Sequence, residues 1–220
     1  YGVFGTGSSS HTAIAVDKIS ASATAGAAGS GAALGDGVAT AGDDGVAGEE
    51  AKAYGVYAAG GAVIDLSAKN SGPIKINAKA ADGTVTNEAY AVYADKGTVL
   101  FGSDAELNWD GSSGTDNTLV TGLNNGTLGF SGTSADRTVT GGKLQLTGSN
   151  AFRFTTDLAN NKADSMTFDT IENNSSKQYI QIGYEEAFKD ALSEADIVTI
   201  TGNANVLTIN NLNGCLLYTS

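Results

Sequence analysis

Residues 54–66 read YGVYAAGGAVIDL and residues 90–101 read YAVYADKGTVLF. An aromatic, a small residue, a valine, a second aromatic and an alanine return after 36 positions. Val56 then matches Val92, Gly61 matches Gly97 and Val63 matches Val99, and a poorer copy, YGVFGTG, opens the chain at Tyr1. A return of this length fits one or two coils of a solenoid. A short strand cannot bury its apolar face alone, whereas coil stacked on coil gives every strand two neighbours and one continuous interior. Such stacking sets like residues above like, so Asn and Thr can bond to the coil above while Gly supplies positive φ at corners. A sandwich of antiparallel strands would use the same residue types. Its turns would recur every 8 to 12 residues or so, a shorter spacing than this repeat, so an all-β solenoid is the expected fold.

Composition agrees. Charged residues are 16% of the 220-residue chain, against about 25% in ordinary soluble proteins. There are 30 glycines and one proline. Short runs of Thr, Val and Ile separated by Gly and Asn are the chemistry of many strands joined by tight turns. The pairs Asn124 and Asn125, Asn160 and Asn161, Asn173 and Asn174, and Asn210 and Asn211 fall between apolar runs, where corners are expected. With 24 acidic and 12 basic residues the formal net charge is -12, which repels a phosphate backbone and argues against nucleic acid as a partner. No apolar run approaches the roughly 18 residues of a membrane-spanning helix.

Residues 21–50 are almost wholly Ala, Gly, Ser, Thr, Asp and Glu, too poor in apolar bulk to repay ordering, and are expected to form a loose insertion. From about residue 118 the texture is more regular. In KLQLTG and AFRFTTDL the alternation places Leu144, Leu146, Phe152 and Phe154 on one face and Gln145 and Arg153 on the other. YEEAFKDALSEAD, residues 184–196, carries an apolar stripe of Tyr184, Phe188 and Leu192 that predicts one short helix. The chain begins at Tyr1 rather than Met and ends in CLLYTS, which holds its single cysteine. One set of codons for these six letters reads as the end of a transposase-based sequencing adapter. Residues 215–220 are therefore expected to be translated adapter, on a fragment cut at both ends.

The segment GGKLQLTGSNAFRFTTDLANNKADSMTFDT, from Gly141, resembles the end of the pertactin-like passenger domains of bacterial autotransporters. The resembling unit is an alternating strand ending in Asp and Leu (Phe152 to Leu158), a polar turn (Ala159 to Ala163), a second Asp (Asp164) and a further strand (Ser165 to Asp169). DIVTITGNANVLTINNL continues the pattern. The likeness covers residues 141–214; residues 1–140 share only the repeat texture. It implies a right-handed parallel β-helix, secreted and exposed on the surface of a Gram-negative bacterium. Residues 1–140 would be passenger repeats, and residues 141–214 a terminal module that seeds folding during export. It also implies an outer-membrane barrel beyond residue 214, which this fragment lacks. The core of the seed module is expected to be Phe152, Phe154, Leu158, Met166 and Phe168.

Few constellations carry chemistry. His11, the sole histidine, follows three serines, but adjacency in sequence supplies no triad geometry. Asp157 and Asp164 bracket a turn and are read as turn carboxylates that bond backbone amides. Asp43 with Asp44 falls in the loose insertion, and Glu185 with Glu186 suits a helix start. No catalytic residue, cofactor or metal site is assigned. Tyr54, Tyr57, Tyr90 and Tyr93 recur with the repeat. Residues three apart on a regular strand point to opposite faces, so one of each pair is expected inside and the other outside. An outer tyrosine ladder could stack on sugars or on a partner protein. The expected function is that of a non-enzymatic adhesin or interaction protein, its partner a protein or glycan on a host or neighbouring cell. The alternative is an extracellular polysaccharide-acting β-helix enzyme, which would need clustered carboxylates beside basic groups, yet Arg137 and Arg153 are the only arginines.

Overall fold

The computed structural model describes residues 1–25, 50–81, 86–107, 120–133, 135–157, 162–174, 177–184, 198–201 and 207–209. The described residues are strand and turn, with no helix among them. The first rung of chain is β1 (Val3–Thr6), β2 (His11–Ala15) and β3 (Lys18–Thr24). The second is β4 (Glu50–Ala59), β5 (Val63–Ser67) and β6 (Ile74–Ala81), and the third is β7 (Thr86–Asp95), β8 (Thr98–Phe101) and β9 (Ala105–Leu107). After these come β10 (Val120–Asn124), β11 (Thr127–Phe130), β12 (Thr138–Thr147), β13 (Ser149–Asp157), β14 (Lys162–Ala163), β15 (Ser165–Asn173), β16 (Lys177–Tyr184), β17 (Val198–Thr201) and β18 (Leu207–Ile209).

These strands form two sheets. One runs β1-β4-β7-β10-β12-β15-β17-β18 and also takes in β3, β6 and β9; the other runs β2-β5-β8-β11-β13-β14, with β16 joined to β13. Apart from β13 with β14 and β17 with β18, the strands therefore pair with counterparts one rung away rather than with their neighbours in sequence. Among the described residues the strand pairings are parallel, apart from β13 with β14 and β17 with β18. A face-to-face antiparallel sandwich is thereby excluded for this part of the chain.

The repeat in the sequence becomes register. Tyr54 lies beside Tyr90, Val56 beside Val92 and Tyr57 beside Tyr93, and β1 adds Val3 beside Val56 and Phe4 beside Tyr57. The second strand departs from the sequence alignment. Val63 pairs with Thr98 and Ile64 with Val99, one residue away from the expected match of Val63 with Val99. The turn is the cause. Between β4 and β5 both Gly60 (φ 60) and Gly61 (φ 89) take positive φ, whereas between β7 and β8 Lys96 (φ 55) alone does so. The first turn thus holds one more residue, and because side chains alternate with a period of two, a one-residue offset decides which face is buried. Ile64 and Val99 are both fully buried.

The same corner recurs at Asn125 (φ 50) and at Gly148 (φ 71), and Asn is the non-glycine residue that best tolerates this region. Asn125 also accepts the Ser149 amide through its side-chain oxygen at 3.1 Å, and Asn150 accepts the Gly126 amide at 3.0 Å. Asn173 ends β15, and the Asn174 amide donates to the Leu146 carbonyl at 3.0 Å. The expected corners at 160–161 and 210–211 lie outside the described residues.

The main apolar cluster of the interior runs from Ile19 and Val56 through Ile64, Leu66, Phe101, Leu128 and Phe130 to Phe152, Phe154, Met166 and Phe168. A second, narrow cluster consists of alanines: Ala25, Ala51, Ala53, Ala78, Ala80 and Ala89. There the ends of β3 and β6 lie against the starts of β4 and β7. Leu144, Leu146, Phe152 and Phe154 are buried, and Gln145 and Arg153 are half-exposed. The expected helix at 184–196 meets the structure at one residue, Tyr184, which is the end of strand β16. Of the loose insertion expected over 21–50, residues 21–24 instead belong to β3, paired in register with Ala78 to Ala81, and Glu50 opens β4; residues 26–49, 185–197 and the tail at 215–220 lie outside the described residues.

One interior position is polar without compensation. Thr121 is fully buried between Val92 and Leu144 in register, and among the described residues its hydroxyl has no hydrogen-bond partner. A desolvated hydroxyl costs about 1–3 kcal/mol. Thr121→Val, which keeps the shape and removes the hydroxyl, is therefore expected to raise stability by about 1 kcal/mol in urea unfolding followed by circular dichroism.

Candidate contact surface

The tyrosines of the repeat do not split between inside and outside. In β4 two successive residues, Gly55 and Val56, face inward, and in β7 Ala91 and Val92 do the same. This doubled inward step resets the alternation, so Tyr54 and Tyr57, and likewise Tyr90 and Tyr93, emerge together on the outer face. The irregularity shows again where β7 meets β10: Val120 pairs with Tyr90 and Thr121 with Val92, leaving Ala91 as the extra residue of a bulge. Gly55 is required at its inward step, since a Cβ there would stand 2.6 Å from the Ala91 carbonyl oxygen.

The result is an outward strip of two aromatic columns, Tyr1, Tyr54 and Tyr90 in one and Phe4, Tyr57 and Tyr93 in the other. Tyr1 stacks on Tyr54 at 5.3 Å with a 16° interplanar angle, and Tyr54 on Tyr90 at 5.3 Å and 6°. In the second column the rings are tilted: Phe4 to Tyr57 at 5.4 Å and 46°, Tyr57 to Tyr93 at 5.4 Å and 55°. Within a rung Tyr54 and Tyr57 are 5.0 Å apart and Tyr90 and Tyr93 4.8 Å apart. Separations of this size lie in the attractive range for aromatic pairs, worth about 0.5–1.5 kcal/mol each beyond area burial. The strip stops at β10, where Gly122 sits beside Tyr93 and a Cβ would fall 2.5 Å from that ring. The Tyr90 hydroxyl reaches across to Gln145 Oε1 at 3.5 Å.

Stacking within the first column uses ring faces against neighbouring rings, so ring edges and hydroxyls are what that column offers to solvent. Tyr1 and Phe4 are the most open, at 68% and 52% exposure. Carboxylates flank the strip. Lys52 pairs with Glu50 at 3.1 Å and feels Glu88, while Asp95 accepts a hydrogen bond from Asn124 at 3.0 Å. Burial first, then the field of Glu88, pushes the Tyr90 hydroxyl up to about 12 and raises Tyr54 further still. Burial, then Asp95, raises Tyr57 and Tyr93.

The four phenols therefore stay neutral in the folded chain at pH values where the unfolded chain, titrating near 10.0, has begun to ionise. A folded value above the unfolded one means stability is intact below about pH 10 and falls as pH rises toward the folded values. Alkaline titration monitored by tyrosinate absorbance is expected to show a delayed phase that collapses to the ordinary value when urea is added.

The residues singled out from sequence chemistry fall elsewhere. His11 begins β2 on the surface. Phe152, Phe154, Met166 and Phe168 are at most 1% exposed, and Leu158 lies outside the described residues. Asp157 ends β13 beside Lys162 of β14. Asp164 is 1% exposed and closes on Arg137, from 27 residues away. Its Oδ1 accepts the Arg137 amide and Nε, both at 3.0 Å, and its Oδ2 accepts Arg137 Nη2 at 2.9 Å and the Thr155 amide at 2.7 Å. Arg137 Nη1 donates to the carbonyls of Phe101 and Ser131, and its guanidinium lies 4.9 Å from the centre of the Phe130 ring. Both oxygens of this buried carboxylate are thus committed to Arg137, just before β12, and to Thr155 of β13, and Arg137 in turn reaches Phe101 at the end of β8. Nothing local to Arg137 marks it in the sequence, because its partner is brought to it by the stacking.

No family model, curated protein or solved structure matches the chain.

Proposed function

We propose that the chain is part of an autotransporter passenger, a right-handed parallel β-helix of pertactin-like type that acts outside a Gram-negative cell as a non-enzymatic adhesin or interaction protein. The observation that carries the reading is the in-register parallel stack of rungs with an aromatic strip on its outside. A stack of this kind propagates from rung to rung once one has formed, which suits a chain that folds as it emerges from a membrane. Its outer face keeps a constant spacing over several rungs and so presents a long, regular side to a surface protein or glycan of another cell. The net charge of -12 keeps such a surface soluble and apart from like-charged neighbours.

The test is display. Residues 1–214, placed between a signal peptide and an autotransporter barrel, are expected to reach the outside of intact Gram-negative cells, accessible to antibody, and to leave a protease-resistant core. Adhesion of those cells to glycan and host-cell panels is expected to fall when Tyr54, Tyr57, Tyr90 and Tyr93 are replaced together by serine while display persists. Retention inside the outer membrane, or complete digestion of the exported chain, overturns the passenger reading.

A further inference from the structure

The outer tyrosine strip is also an arrangement of oxidisable phenols. We infer that Tyr57 and Tyr93 form a site of oxidative cross-linking, in which hydrogen peroxide acting through a haem peroxidase couples the two rings into a dityrosine that staples adjacent rungs. Their ring centres are 5.4 Å apart, the planes are inclined at 55°, and both side chains are half-exposed on neighbouring parallel strands. A biaryl bond lies in the plane of both rings. The inclined pair can bring together the carbons ortho to the hydroxyls by a small rotation about the side-chain bonds, whereas Tyr54 and Tyr90, face to face at 6°, would first have to unstack.

In the reaction each phenol loses one electron and one proton, the two phenoxyl radicals join carbon to carbon, and each ring proton at the new bond moves to a phenoxyl oxygen. The protein loses two hydrogens, and one hydrogen peroxide becomes two waters. The rigid rungs hold the partners within reach, so the radical formed on one ring finds the other before it finds a second molecule. The link would close a loop between Tyr57 and Tyr93, 36 positions apart, which restricts the unfolded chain as a disulfide does. The inference concerns the folded strip itself and stands whether or not the chain is exported.

The experiment treats dilute purified protein with horseradish-type peroxidase and hydrogen peroxide. The expected product is a monomer lighter by two hydrogens with dityrosine fluorescence. Trypsin should then release residues 53–69 joined to residues 80–96, with fragment ions placing the bond at Tyr57 and Tyr93. Tyr57→Phe with Tyr93→Phe, which keeps both rings and their packing, is expected to lower the intramolecular yield at least tenfold while the circular dichroism spectrum is unchanged. Failure to form dityrosine, its confinement to covalent dimers, or an undiminished intramolecular yield in the double variant overturns the inference.

Discussion

Asp164→Ala is expected to destabilise the chain by about 3–5 kcal/mol, the loss typical of breaking a buried ion pair by removing one partner. The reason is what remains. The Arg137 guanidinium is left in a site where it is 8% exposed, with the carbonyls of Phe101 and Ser131 as its remaining partners of note, and the Thr155 amide loses its acceptor. Urea unfolding followed by circular dichroism measures the loss. The double replacement Arg137→Met with Asp164→Leu removes both charges at once and is expected to cost much less than Asp164→Ala alone, because well-packed apolar substitutes for a buried pair are often close to neutral. A loss below about 1 kcal/mol for Asp164→Ala would show that the clamp does not hold the rungs together.

Phe154→Ala is expected to cost about 3–5 kcal/mol by the transfer and cavity terms of an emptied aromatic site. Phe154 is fully buried, 6.2 Å from the Phe130 ring, on the strand that pairs with both β11 and β16. If residues 141–214 nucleate the stack, the loss appears in the refolding rate. Ile64→Ala supplies the control: Ile64 is equally buried but lies on β5, near the other end. Its replacement is expected to speed unfolding and leave refolding nearly unchanged, since an interaction absent from the nucleus acts on the unfolding limb. Stopped-flow refolding distinguishes the two. Equal slowing in both variants, or slowing in Ile64→Ala alone, removes the seed role from this module.

The two variants probe different bonds of the same stack. Phe154 contributes area, and its loss is shared among neighbours that can relax toward the cavity. Asp164 contributes four directed hydrogen bonds whose partners cannot relax to water. For that reason the polar clamp is expected to be the less forgiving of the two toward conservative change: Asp164→Asn keeps the volume but places an amide donor where donors already converge.

The repeat in residues 54–66 and 90–101 was enough to read an all-β chain of stacked parallel strands, because identical side chains at one spacing can share an interior only if the strands carrying them lie side by side. The inward alternation of Leu144, Leu146, Phe152 and Phe154 follows from the period of two alone, and the positive φ at Asn125 follows from what its side chain tolerates. Three features were decided by the tertiary structure. The extra residue in the Gly60–Gly61 turn shifts β5 against β8 by one position, which no alignment of matching letters reveals. The doubled inward steps at Gly55–Val56 and Ala91–Val92 turn four tyrosines to one outer face, against the alternation of a regular strand. Asp164 finds Arg137 from 27 residues away. In each case the physical cause is the same: period and propensity act along the chain, whereas a bulge, a turn length or a buried ion pair is settled by what the adjacent rung has room for and what it leaves without a partner.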